Sequence, residues 1–352
     1  MSEKRTWIRL PRSVLVGTGV SHELSTVLTE LHPGEDVLVV TSSTPRRVLG
    51  DRLLADLDAA GIVAESIEID KATLASIDAV RERFEASGAG VLLGIGGGRV
   101  IDVTKLVSHE VAKPFISVPT AASHDGIVSS RASIPEGDTR HSVAARPPTA
   151  VIADTDIIAE APWKLTTAGC ADIISNYTAV TDWRLANRLK HVPYSEYAAA
   201  LSEMTAELLI ADADSIKEGH EASAWVVTKA LVSSGVAMSI AGSSRPASGA
   251  EHLFSHQLDR LAPGAALHGH QVGVGAIMTA YLQWGDDGAW RDLRDALAKI
   301  GAPTTAAQLG IDPEIIVEAL STAHEIRDRY TILGDGIAES AATRVAEQTG
   351  VL

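Results

Sequence analysis

A strand-like run that breaks into three glycines and then a helix constrains this chain more than any other feature. Residues 90–94 lead through Ile95-Gly96-Gly97-Gly98 into Arg99-Val100-Ile101-Asp102-Val103-Thr104-Lys105. A strand turning directly into a helix is half of a β-α-β unit, and such units build a parallel sheet with crossover helices. The surrounding sequence keeps that rhythm. Short β-branched runs recur at residues 36–41, 62–67, 115–118 and 150–153. Between them Val48, Leu49, Leu53, Leu54 and Leu57 fall close to a helical period, and residues 74–86 repeat the pattern. Residues 133–148 hold Pro135, Glu136, Gly137 and Asp138 and then Pro147 and Pro148, which predicts an exposed polar hairpin before the last strand.

After about Trp163 the strand-like runs give way to long Ala/Leu-rich helical stretches at 195–211, 221–239 and 290–300. The chain has 352 residues, 45% of them hydrophobic, which is too long for one ordinary core. The predicted fold is an α/β N-terminal domain with a parallel sheet and a Gly-rich nucleotide turn, residues 1–158, followed by an all-α C-terminal domain, residues 159–352. A cleft is expected between them.

Composition removes several classes of function. A net charge of −15 with no dense Lys/Arg run opposes binding to nucleic acid or anionic lipid. The apolar runs at 90–95 and 236–241 stop short of the roughly 20 residues that cross a bilayer, so no membrane insertion is expected. The charged start Met1-Ser2-Glu3-Lys4-Arg5 lacks the apolar region of a secretory signal, and a cytoplasmic location is expected. Cys170 is the only cysteine and, between Gly169 and Ala171, reads as a small core residue.

Glycines let a backbone approach a phosphate closely and adopt positive φ, and the N–H groups at a helix start offer donors. The same three residues also suit a tight turn without ligand. The glycines follow the third strand-like run and lack the G-x-G-x-x-G spacing of the common dinucleotide fingerprint. The first run ends at Thr41-Ser42-Ser43, with Arg46 and Arg47 beyond and no acid for the ribose hydroxyls, so NADP is expected to be accepted or preferred. Pro119 through Ser130 is rich in small hydroxyl residues at the carboxyl end of a strand, placed either to line the same crevice or to cap a helix.

The second half supplies metal-ligating residue types. Asp172 sits early in a predicted helix among Gly169, Ala171 and Ile173. His252 and His256, four apart, share one face of another. His268 and His270 follow a Pro263-Gly264 turn, so four of the chain's 12 histidines fall in one segment. One carboxylate with two imidazoles leaves a divalent ion an open position, as a catalytic zinc requires. Individually hydrogen-bonded histidines are the alternative. A Ser-His-Asp hydrolase is disfavoured because Gly-x-Ser-x-Gly is absent.

In order along the chain, Gly96-Gly97-Gly98-x-x-Ile101-Asp102-x-x-Lys105, Pro119-Thr120-x-x-Ser123-His124-Asp125-Gly126, the Asp172 segment and the paired histidines resemble the archaeal-type sn-glycerol-1-phosphate dehydrogenase family. That family belongs to the iron-alcohol-dehydrogenase, glycerol-dehydrogenase and dehydroquinate-synthase superfamily. The resemblance implies reversible reduction of dihydroxyacetone phosphate to sn-glycerol 1-phosphate for ether-lipid backbones. It implies NAD(P)(H) contacts from Gly97, Gly98, Arg99, Val100, Ile101, Asp102, Thr120, Ala121, Ala122, Ser123 and Ser129. It further implies one divalent metal, zinc, on Asp172, His252 and His268, substrate contacts from Asp125, Asp172 and His256, and His256 as a proton donor. His270 replaces a usual Glu and is an alternative to His268 as the ligand, and Arg99 replaces a common Lys. A homo-oligomer acting on a small molecule is expected, with glycerol dehydrogenase on an unphosphorylated polyol, or a non-catalytic nucleotide-binding module, as alternatives.

Overall fold

Val37–Thr41 (β2), Val91–Gly96 (β4), Phe115–Pro119 (β5) and Ala150–Asp154 (β8) are buried along their whole length. A strand apolar on both faces must lie inside a parallel sheet covered by helices on both sides. The computed structural model, which describes residues 7–136 and 139–352, has that sheet. With Ser13–Gly17 (β1) and Ala64–Glu68 (β3) at its edges, the sheet runs β1-β8-β5-β4-β2-β3 with every pairing parallel. Alternation decides which face packs on which layer. Val37 and Val39 join Leu24, Leu28, Leu53 and Leu57 on one side, while Leu38 and Val40 join Ile77, Val80, Val100 and Val103 on the other.

β1 was not among the expected strands, which makes the glycine-bearing strand the fourth in the chain and not the third. A five-residue edge strand behind Pro11, partnered only by the distant β8, has no local hydrophobic alternation to betray it. Arg131–Glu136 (β6) and Thr139–Ala144 (β7) pair antiparallel, as the polar hairpin predicted. Its tip at Gly137 and Asp138, like the charged start Met1 to Arg5, lies outside the described residues.

Beyond Asp154 the described chain is helical, and the short helix Thr155–Ala159 straddles the expected boundary at 158. Trp290–Ile300 shows why such segments fold as they do. Trp290, Leu293, Ala296, Leu297 and Ile300 are buried at helical spacing, and Gly301 ends the helix at φ 85°. Glu221–Ala241 is long and apolar enough by length and composition to cross a membrane, against the expectation from the shorter apolar runs. Over half of it is buried against neighbouring elements, which marks it as a core helix.

Strand order reverses between β2 and β4, since the chain leaves β2 for the β3 edge and returns on its other flank. Ligands of open parallel sheets bind outside the carboxyl ends of the strands at such a switch point. Here that point brings the glycines after β4 beside Ser42 to Thr44 after β2.

Candidate active site

Those two segments open one end of a cavity of about 950 Å³. Gly97, Gly98, Arg99, Val100, Asp102, Thr120, Ala121, Ser123 and Ser129 line it. Ile101 and Ala122, next to these residues in sequence, are fully buried. The turn differs in kind from the expectation, because none of Gly96, Gly97 and Gly98 takes positive φ. At Gly96 and Gly98 glycine is required by space. A Cβ on Gly96 would come within 2.9 Å of Val100, and one on Gly98 would collide with Nε2 of His124. Gly97 has nothing within 4 Å and leaves its helix start, Gly98–Glu110, open to a phosphate.

His124 is thus a wedge. Its Nδ1 accepts the Gly126 N–H at 2.8 Å, and a Cβ on Gly126 would strike the same ring. Beneath it Lys105 is fully buried and donates to the carbonyls of Gly126 (2.5 Å) and Arg131 (2.6 Å). Burial pulls its pKa down, opposed by Asp102 at 3.4 Å. One lysine therefore ties the Asp125 loop to the nucleotide helix, a role that sequence reading left unassigned.

Asp172 lies about two and a half turns into the helix Trp163–Lys190. His252 and His256 project from Ala250–Leu261, and His268 begins His268–Trp284. These helices meet closely because their contact faces are small. A Cβ on Gly269 would collide with the Ala168 carbonyl oxygen, and one on Gly273 would sit 2.9 Å from the Ala171 methyl. Gly275 allows a similar approach to Glu251. Donor atoms of Asp172, His252 and His268 consequently lie within 4.8 Å of one another, with Asp172 Oδ1 3.5 Å from His252 Nε2. Bonds of about 2.1 Å at tetrahedral angles need donors roughly 3.4 Å apart. The three could hold an ion after only small side-chain adjustment.

The surroundings fix which nitrogens would face an ion. Nδ1 of His252 lies 3.0 Å from Glu251 Oε1, and Glu251 is fully buried, accepting also from Thr178 Oγ1 at 2.9 Å and the Gly249 N–H. A carboxylate can only accept, so Nδ1 carries the proton and Nε2 is left for a metal. For His268 the same result comes through three side chains. Gln271 Nε2 donates to Asp259 (3.2 Å), so its Oε1 faces Ser255 and accepts that hydroxyl's proton at 2.7 Å. Ser255 Oγ, 2.9 Å from His268 Nδ1, must then accept from the ring. Ser255→Ala is expected to weaken metal affinity roughly 10- to 100-fold. Chelator competition on the purified protein reads this directly, and an unchanged affinity would remove Ser255 from the arrangement.

Burial lowers the His252 pKa, but Asp172 and Glu251 on either side raise it to about 9. Burial pushes the Asp172 and Glu251 carboxyls up, yet their bonds to His252 and nearby charges hold both below the ordinary range. A positive charge belongs between these carboxylates, on the ring or on an ion. Asp125 donates its N–H to Asp172 Oδ2 at 3.2 Å and accepts from Ser234 Oγ at 2.8 Å. Burial and the Asp172 charge move its carboxyl up to about 7. His256 stacks on His268, centroids 5.6 Å apart at 24°. His270 lies outside the group: its Nε2 is 2.8 Å from Thr167 Oγ1, and burial and Lys164 pull it down to about 4. Cys170 is buried and pushed up to about 12, as a core thiol should be.

Sequence reading missed Asp70, after β3, which lines the nucleotide end and whose carbonyl accepts from Arg99 at 3.1 Å. Arg46, just beyond Ser43, is paired with Asp51 and Glu68 at 2.9 and 2.8 Å.

Residues 15–162, which hold the sheet and the switch-point glycine turn, fit the family described as iron-containing alcohol dehydrogenase. Two solved glycerol dehydrogenases share the fold. One, described as probable, is from Sinorhizobium meliloti 1021 (TM-score 0.78, 22% identity, 98% of each chain). The other is from Schizosaccharomyces pombe (TM-score 0.80, 20% identity, 99% of this chain and 92% of that one). Over 352 residues, 100% of both chains, the sequence is 64% identical to a protein of Haloarcula marismortui named glycerol-1-phosphate dehydrogenase (NAD(P)+). A protein of the same name from Methanosarcina acetivorans is 56% identical over 347 residues, 98% of this chain and 97% of that one. The chain belongs to the glycerol-1-phosphate dehydrogenase family.

Proposed function

We propose that the chain catalyses the NAD(P)-dependent, metal-dependent, reversible reduction of dihydroxyacetone phosphate to sn-glycerol 1-phosphate, the backbone of archaeal ether lipids. The observation that carries this reading is one cavity holding both the glycine turn and the convergent Asp172, His252 and His268. The names of the full-length relatives support the substrate.

In this reading residues 1–158 bind the cofactor and 159–352 the metal and substrate. The start of Gly98–Glu110 receives the pyrophosphate, Thr120, Ser123 and Ser129 border the nicotinamide half, and Arg99 beside Ser42 and Ser43 tolerates a 2′-phosphate. Asp172, His252 and His268 hold the metal, zinc by their donor chemistry. When bound, the metal polarises the substrate carbonyl and the nicotinamide supplies hydride. Asp125 and Asp172 orient the substrate hydroxyls. His256 lines the cavity, and from there it exchanges the proton of the product hydroxyl. A homo-oligomer in the cytoplasm is the proposed setting, to be checked by light scattering.

Spectrophotometric assay with dihydroxyacetone phosphate and each reduced cofactor should show turnover with both, NADPH within about hundredfold of NADH, roughly 2.7 kcal/mol. The product should be sn-glycerol 1-phosphate by chiral analysis. Equal or faster reduction of unphosphorylated dihydroxyacetone would overturn the assignment.

A further inference from the structure

In a chain of net charge −15, four guanidinium groups gather beside the substrate cavity: the charges of Arg131 and Arg245 both act on Arg327 and on Arg329. Arg131 and Arg327 line the cavity together with Asp172, His252, His256 and His268. Arg329 and Arg245 are occupied with the chain. Arg329 donates to the Ser248 carbonyl and, at 2.8 Å, to Ser244 Oγ, while Arg245 donates to the Tyr330 carbonyl at 3.3 Å. Arg327 is different. Its Nη2 donates to Ser248 Oγ at 2.8 Å, but its Nε is buried and makes no hydrogen bond. Among the described residues, no carboxylate lies within 4.0 Å of Arg245, Arg327 or Arg329. Burial, then the charge of Arg131, holds the Arg327 pKa down to about 10.

Glu251 offsets part of the repulsion at Arg327 and Arg329, as Asp182 and Asp328 do at Arg245, but like charges held partly out of water remain costly and an anion between them lowers that cost. A planar guanidinium with free donors matches the oxygens of a phosphate in bidentate fashion. The pyrophosphate of a nucleotide is already provided for at Gly97 and Gly98, at the sheet end of the cavity. Arg327 lies instead against Ser248, just before the helix that carries His252 and His256. We infer that Arg327 and Arg131, backed by Arg329 and Arg245, form a dianion subsite that takes the phosphate end of a small ketone phosphate whose carbonyl lies at the metal centre. This rests on the function proposed above.

The test uses the full-length, metal-loaded enzyme and compares kcat/KM for dihydroxyacetone phosphate with that for dihydroxyacetone. In Arg327→Gln the ratio is expected to fall at least a hundredfold, through KM for the phosphorylated ketone, and Arg327→Lys should recover part of it. Inorganic phosphate should inhibit the wild-type enzyme competitively with dihydroxyacetone phosphate, at least tenfold more weakly in Arg327→Gln or Arg131→Gln. An unchanged ratio in Arg327→Gln, with the wild type still preferring the phosphorylated ketone, overturns the subsite and leaves the function standing. A wild type without that preference overturns both. Should Arg327→Gln fail to fold, phosphate inhibition of the wild type and of Arg131→Gln decides, and its absence or insensitivity to the substitution overturns the subsite.

Discussion

Asp172→Ala and His252→Ala are each expected to release the metal and to lower kcat/KM for dihydroxyacetone phosphate by roughly 10³ to 10⁴, since polarisation by a metal contributes several kcal/mol and each 1.36 kcal/mol is tenfold. Two physical effects add. The substitution removes a donor from a set whose members all lie within 4.8 Å, and it unbalances a chain of alternating charge, Glu251–His252–Asp172, in which each member holds the next ionised. Elemental analysis beside steady-state kinetics checks both. Metal retained at full stoichiometry, or full activity in a metal-free variant, would refute the ligand assignment.

Gly269→Val is expected to produce the largest loss from a residue without a ligating side chain. Its Cβ would collide with the Ala168 carbonyl oxygen, which is backbone inside a long helix and has no rotamer to change. Forced overpacking of this kind costs about 1–3 kcal/mol, and the strain is relieved by moving the helix of His268 away from that of Asp172. A lowered melting temperature should therefore accompany a weakened metal affinity. Gly273→Ala, which meets side-chain methyls of Ala171 and Leu297 and no backbone, should be milder. A Gly269→Val protein with wild-type melting and metal binding would show that the close crossing does not place the ligands.

How much of this was readable beforehand depended on range. The buried strands, the glycine turn and the helix bearing His252 and His256 carry local signals, a run of β-branched residues or a spacing of four, and the structure places them as read. The approach of Asp172 to the histidines depends on Gly269, Gly273 and Gly275, which in sequence look like any flexible segment and acquire meaning only against Ala168, Ala171 and Glu251. Arg327 and Arg329 stand nearly 200 residues from Arg131, so no window along the chain could join them. Glu251 was visible beside His252, but an acid next to a histidine is commonplace. Only its complete burial shows that it orients the ring. Of the two reasons for reading the glycine turn, close backbone approach and positive φ, the second is absent, while Gly96 and Gly98 are held by the room that Val100 and His124 leave them.

The wedge of His124 between Gly98 and Gly126 has an evolutionary consequence. One ring fills the space that a side chain at either glycine would need, so positions 98, 124 and 126 form a single steric unit and their substitutions cannot be additive. A mutation that enlarges position 98 is excluded while the imidazole is present and becomes admissible only after position 124 has shrunk. The first of those two steps surrenders the hydrogen bond to Gly126 without any return, so the trio is locked by historical order as much as by function, and drift should be slow there even under relaxed selection.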